Sequence, residues 1–170
     1  IVCQWAAALG ATVIGTVSSE EKAALAKANG CHYPIIYTRE NFAARVLEIT
    51  NGKKLPVIYD SVGKDTFMQS LDCLQPRGLM VLFGASSGPV PPLDLSVLAQ
   101  KGSLIVTRPT LATFIASRAQ LEENTSDLFE AVATGKVKIH VNQTYALKDA
   151  ATAHRDLEAR KTTGATVLTV

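Results

Sequence analysis

Ser18, Ser19 and Lys22 stand in the stretch VIGTVSSEEK, where an apolar β-branched run gives way to two hydroxyls and, one helical turn further on, an ammonium. Small hydroxyls at the start of a helix, backed by a cation, make a seat for a phosphate, because free main-chain N–H groups and the helix dipole favour negative charge there. In many nucleotide-binding α/β domains the equivalent strand ends in an acid, which accepts hydrogen bonds from both ribose hydroxyls and repels a 2′-phosphate. Serines in place of that acid favour a 2′-phosphorylated ribose over a bare diol. Glu20 and Glu21 oppose this electrostatically. Glu21 is expected to form a capping box with Ser18, and Glu20 to face solvent. As the plainer alternative, Ser18 only caps a helix and Lys22 decorates its surface.

Three further sets of residues stand where open α/β folds bind ligands, at the ends of expected strands. They are Tyr37, the run DSVG at 60–63 and the run FGASS at 83–87. Gly63 and Gly84 suit either a close approach of backbone to a ligand or a tight turn. His32, His140 and His154 lie on different elements without a Ser, Asp or Cys at suggestive spacing, so none is assigned to catalysis. Cys3, Cys31 and Cys73 form no CxxC pair and no zinc-type spacing. They read as reduced thiols of a cytoplasmic protein.

The elements that must position these residues follow from periodicity. Ile1, Val2, Trp5 and Leu9 mark one helical face ending at Gly10, and residues 11–16 form a β-branched strand. A helix capped by Ser18 runs to about Asn29, followed by a strand at 33–37. A helix from about 40 to 50 precedes a buried strand at 55–62. A helix over 65–75 stops at Pro76, and a strand covers 78–83. After the loop ASSGPVPPLD come a short helix to about Gln100 and a strand at 103–109. Arg118 to Thr134 is a long helix, Val137 to Val141 a candidate strand, residues 147–164 a polar-faced helical stretch, and ATVLTV a closing strand. Strands alternating with helices at this spacing imply α/β architecture with a doubly wound, mostly parallel Rossmann sheet.

With 170 residues and 47% hydrophobic content the chain can bury one substantial core. A formal net charge of +2 without a dense Lys/Arg run excludes a nucleic-acid stripe, and no apolar stretch is long enough to span a membrane. The sequence opens inside a helix and contains no G-x-G. The first strand and Gly-rich loop of a dinucleotide fold are therefore expected to be lacking. The segment GSLIVTRPTL at 102–111 is apolar on both faces and is expected to end one side of the sheet. Such an edge strand needs a partner, which points to a homodimer pairing through 102–111; in the alternative, the helix from Arg118 covers the edge.

CQWAAALGATVIGTVSSEEK, IIYTREN, VIYDSVGKDTFMQSLDCLQPRGLMVLFGASSG and QKGSLIVTRPTL together resemble the NADPH-dependent quinone oxidoreductases of the zinc-free branch of the medium-chain dehydrogenases, the ζ-crystallin-like group. The resemblance covers nearly the whole sequence. It implies an NADPH-dependent enzyme that reduces quinones or similar α,β-unsaturated carbonyl acceptors without metal, and it names no protein proton donor. It also implies a division into residues 1–143, an NADP(H)-binding domain incomplete at its N-terminus, and 144–170, a tail packing against an absent GroES-like catalytic domain. Ser18, Ser19 and Lys22 would meet the 2′-phosphate, Tyr37, Val62 and Gly63 the adenosine end, and Phe83, Gly84, Ala85 and Ser86 the nicotinamide half. Pro109, Thr110 and Leu111 would meet the carboxamide, and Arg160 would reach the cofactor from the tail. Dimerisation through the 102–111 strand is common in the group. The rival readings are a non-catalytic NADPH-binding or redox-sensing dimeric module, and a methyltransferase, which Ser18 and Ser19 disfavour.

Overall fold

The computed structural model describes residues 1–170, and alternation of helix and strand governs it from end to end. The elements are α1 (Val2–Ala8), β1 (Ile14–Val17), α2 (Glu20–Ala28), β2 (Tyr33–Ile36), α3 (Phe42–Ile49), β3 (Leu55–Asp60), α4 (Phe67–Asp72), β4 (Leu74–Leu82), α5 (Ser96–Gln100), β5 (Ile105–Thr107), α6 (Leu111–Phe114), α7 (Arg118–Ala133), β6 (Val141–Ala146), α8 (Ala150–Glu158) and β7 (Ala165–Thr169). Every strand pair is parallel, as the alternation predicts. No helix is long and apolar enough to cross a membrane.

The strands fall into three sheets, β1-β2, β3-β4-β5 and β6-β7. The first two face each other across a cavity of about 470 Å³ lined by residues 13–16 on one side and 55–62 on the other. The carbonyls of Val13 and Val17 accept from the N–H groups of Tyr33 and Tyr37 at 3.1 Å. That parity turns the main chain of Ile14 and Thr16 away from β2, towards the cavity. Successive strands step outward from this gap in opposite directions, the doubly wound connectivity. A core of Ile35, Val46 and Cys73, joined by Ile14, Leu55 and Ile58, ties the two halves together beneath the gap. A second core of Phe67, Leu71, Leu74, Met80 and Leu104 packs α4 and α5 onto β4 and β5.

Several expected boundaries move, each for a local reason. The capping serine of α2 is Ser19, whose hydroxyl accepts from Lys22 N at 3.3 Å; Glu21 forms no capping box with Ser18. The helix expected over 65–75 is only Phe67–Asp72, because Leu55 N–H takes the Cys73 carbonyl at 2.9 Å and draws the chain into β4 before Pro76. The strand at 103–109 shrinks to Ile105–Thr107, since Ser103 sits at φ 55 and breaks the extended backbone. No strand forms over 137–141. There Gln4 reads the Lys138 main chain from both sides, accepting from its N–H at 2.6 Å and donating to its carbonyl at 3.1 Å. With those groups satisfied by a side chain, the strand begins only at Val141 and pairs with β7. The helix α6 has no counterpart among the sequence expectations.

Cys31 and Cys73 are buried and Cys3 is half-buried, all with free thiols. Burial, reinforced by the Asp72 charge, pushes the Cys73 thiol from 9.0 up to about 11. The folded state therefore holds this proton more tightly than the unfolded chain, so its stabilising effect is complete below pH 9.0 and is lost as pH rises towards about 11. Urea midpoints should accordingly fall over that window, and less steeply in Cys73→Ala than in the parent; equal slopes would exclude this thiol as the cause.

Candidate functional site

Five of the residues singled out by sequence meet at the carboxyl end of the β1-β2 sheet. Ser18 and Ser19 follow β1, and Ser18 is fixed by its carbonyl, which accepts from Thr38 Oγ1 at 3.2 Å. Lys22, half-buried in the first turn of α2, donates from Nζ to the Arg160 carbonyl at 3.3 Å. Arg160 in turn donates from Nη1 to the Tyr37 hydroxyl at 3.2 Å. Residues 123 positions apart are thus joined into one cationic cluster. It borders a cavity of about 570 Å³ lined by Lys22, Leu25, Arg160, Lys161 and Thr163 among others.

Arg160 reaches this position through an unusual helix end. Its N–H bonds the Leu157 carbonyl and that of Lys161 bonds the Asp156 carbonyl, both at 3.0 Å. This is the Schellman pattern, whose left-handed residue is usually glycine. Here that residue is an arginine at φ 58. Strain of roughly 1–3 kcal/mol at such a position persists where a side chain is needed. Glu20 pairs with Arg39 2.9 Å away at the exposed surface, leaving exposed Glu21 as the one acid of the first turn without an ion pair.

A second group gathers at the carboxyl end of β3 and β4. Ser86 N–H donates to the Ser61 carbonyl at 3.1 Å, and Ser87 N–H and Oγ both donate to the Val62 carbonyl, at 2.9 and 2.8 Å. Gly63 and Gly84 serve this loop-to-loop contact. A Cβ on Gly84 would lie 2.5 Å from the Ser61 carbonyl oxygen, and one on Gly63 would lie 2.8 Å from that of Gly88. Phe83, Ala85 and Ser86 remain exposed beside them. Pro109, Thr110 and Leu111 follow β5 at the same edge, held by Arg108 Nη1 donating to the Leu82 carbonyl at 3.0 Å; Thr110 immediately precedes α6, with its hydroxyl 2.9 Å from that of Thr113.

Asp60, singled out only as the first residue of the run DSVG, was given no role of its own, and Thr66 was missed. Asp60 ends β3 and is 5% exposed, with Thr66 Oγ1 donating to its Oδ2 at 2.7 Å. The signal available in the sequence was a carboxylate closing an otherwise apolar strand, immediately ahead of S-V-G.

Parallel pairing, helical crossovers and loops gathered at the strands' carboxyl ends define a Rossmann-type α/β domain. The chain belongs to the zinc-binding dehydrogenase family, which matches residues 1–131. It is 55% identical over 166 residues to the quinone oxidoreductase of Pseudomonas aeruginosa, covering 98% of this chain and 51% of that protein. It is 46% identical over 169 residues to a 2-haloacrylate reductase of a Burkholderia species, covering 99% of this chain and 51% of that protein. Among solved structures, the Escherichia coli quinone oxidoreductase complexed with NADPH matches with a TM-score of 0.96 and 51% identity, over 100% of this chain and 53% of that one. The chain thus spans about half the length of the curated relatives it matches. No three His, Cys, Asp or Glu side chains converge to hold a metal, so the residues present do not fit the zinc of the family's description.

Because Gly84 has no room for a side chain against the Ser61 backbone, Gly84→Ala should destabilise the fold by about 1–3 kcal/mol. A denaturant midpoint equal to that of the parent would show that the two loops part without cost.

Proposed function

We propose that this chain supplies the NADPH-binding half of an oxidoreductase that reduces quinones, or similar α,β-unsaturated carbonyl acceptors, without a metal. The observation that carries this is the Lys22–Arg160–Tyr37 cluster behind Ser18 and Ser19, which stand at the end of β1 in place of the acid a bare ribose would need. Bound NADPH would supply the reducing equivalents. The residues of this chain do the rest of the binding work. Lys22 and Arg160 neutralise the 2′-phosphate, Ser18 and Ser19 donate to it, and Tyr37 flanks the adenosine with Val62 and Gly63. Phe83 to Ser86 and Pro109 to Leu111 bracket the nicotinamide half, and main-chain groups of 109–111 orient its carboxamide. The matched 2-haloacrylate reductase supports an electron-poor alkene as the acceptor class alongside quinones.

Residues 1–143 form the cofactor domain in this proposal, and the tail from 144 packs against a catalytic domain elsewhere in the protein. β6 begins at Val141 and pairs with β7, so the compact β-α-β unit suited to that docking starts three residues before this boundary. The free cysteines favour the cytoplasm as its compartment. Homodimerisation uses β5, which ends its sheet and leaves Ile105 55% exposed. In the full-length protein, Ile105→Lys should give monomer by light scattering; an unchanged dimer would move the interface elsewhere.

The nucleotide assignment is tested in the full-length protein by binding and by NADPH oxidation with several quinones. Lys22→Ala should weaken NADPH binding about ten- to a hundredfold and leave NADH nearly unchanged, the effect of one charge-assisted hydrogen bond. Arg160→Gly should separate affinity from stability: NADPH binding falls by about tenfold or more, while relief of the left-handed backbone keeps stability within about 1 kcal/mol of the parent. Equal losses of NADPH and NADH affinity in Lys22→Ala would overturn the 2′-phosphate seat.

A further inference from the structure

A buried carboxylate without a cation needs an explanation, and Asp60 takes part in none of the chain's ion pairs. Its charge is met by dipoles alone. Oδ1 accepts from the main-chain N–H groups of Val62 at 2.7 Å and Gly63 at 3.0 Å. Oδ2 accepts from Thr66 Oγ1 at 2.7 Å and Ser70 Oγ at 3.1 Å. Its own carbonyl takes the Phe83 N–H at 2.9 Å. One residue therefore clamps the end of β3, the 61–63 turn and the start of α4 together.

The turn so held is the one that organises the neighbouring loop. With the Val62 and Gly63 N–H groups drawn inward, the Ser61 and Val62 carbonyls turn outward to meet the N–H groups of Ser86 and Ser87, and Gly63 seats against Gly88. We propose that Asp60 is a positioning residue, which sets the paired loops 61–63 and 84–88 in the shape that receives the nucleotide without touching it. This rests on the NADPH reading of those loops. What it adds is the residue that holds them and the reason that residue carries an acceptor oxygen: two of its donors are main-chain N–H groups that can only donate.

Geometry and charge are separable here. Asparagine keeps an oxygen for the Val62 and Gly63 N–H groups, and its amide can donate to the Thr66 and Ser70 hydroxyls, which rotate to accept. Alanine keeps neither set. In the full-length protein, Asp60→Ala should weaken NADPH binding about tenfold or more, and Asp60→Asn should stay within about threefold, with the KM for the quinone unchanged in both. Thr66→Val, which removes one strap and leaves the carboxylate in place, should weaken NADPH by about threefold and serves where Asp60→Ala does not fold. A merely structural Asp60 predicts lower melting temperatures with an NADPH Kd equal to that of the parent in the folded variants, and that result overturns the proposal. So does a loss in Asp60→Asn as large as in Asp60→Ala, or a quinone KM that moves with the NADPH Kd. Failure of the unaltered protein to bind NADPH would instead overturn the nucleotide reading, and this proposal with it.

Discussion

Parallel pairing is the constraint from which the rest follows. A parallel pair cannot be joined by a hairpin, so each strand is followed by a crossover that returns the chain to the same starting edge. Every loop that leaves a strand then lies beside the loop that leaves its partner. Ser18 stands beside Thr38 because Val17 pairs with Ile36, and Phe83 stands next to Ser61 because Leu82 pairs with Asp60. The opposite edge carries the helix-to-strand turns, where left-handed glycines such as Gly30 and Gly52 stop helices. Chemistry and chain reversal are thereby assigned to different ends of the same strands.

The cavity between β1 and β3 interrupts this arrangement without dissolving it. The backbone of Ile14 and Thr16 faces space where an interior strand of a sheet would find a partner, a situation that leaves main-chain groups dependent on water. The halves are held instead by side chains. Ile14 and Ile35 from one sheet share a core with Leu55, Ile58 and Cys73 from the other, and Val46 on α3 closes it. Burial of this kind is non-directional. It keeps the two halves together while fixing their register less firmly than a continuous ladder of hydrogen bonds.

The order of elements was legible because apolar periodicity and glycine stops act locally, as in α7, expected at 118–134 and found at Arg118–Ala133. The misplacements are places where a distant group competes for the backbone. Lys138 leaves no strand because Gln4, 134 residues away in sequence, satisfies both its main-chain groups. Leu55 ends α4 early in the same way. At the site, residue types could be read from the pattern of hydroxyls, cation and missing acid. Their convergence could not, since the bond from Arg160 to Tyr37 depends on how the tail folds back. The role of Gly63 and Gly84 was open between cofactor approach and local geometry. The contacts of a hypothetical Cβ put loop-to-loop packing first, and Asp60 was legible only as the head of DSVG, because its carboxylate's partners lie up to ten residues onward.

The anion seat proposed at the end of β1 has acids beside it. A carboxylate in the first turn of a helix is favourable to that helix, and α2 carries both Glu20 and Glu21 there. The same carboxylates would repel a phosphate. Arg39, just beyond β2, pairs with Glu20 at the exposed surface and offsets part of its charge. Lys22 points instead to the Arg160 carbonyl, so the cation nearest the serines is tied to the segment that brings the second one. Arg160 then supplies two functions from one residue: its backbone anchors Lys22 and its guanidinium reaches Tyr37. A glycine would satisfy the helix end with less strain, and could anchor Lys22 equally well through its carbonyl. What a glycine there would lose is the guanidinium and its bond to the Tyr37 hydroxyl, so under the proposed nucleotide reading the strain at residue 160 is offset at the site.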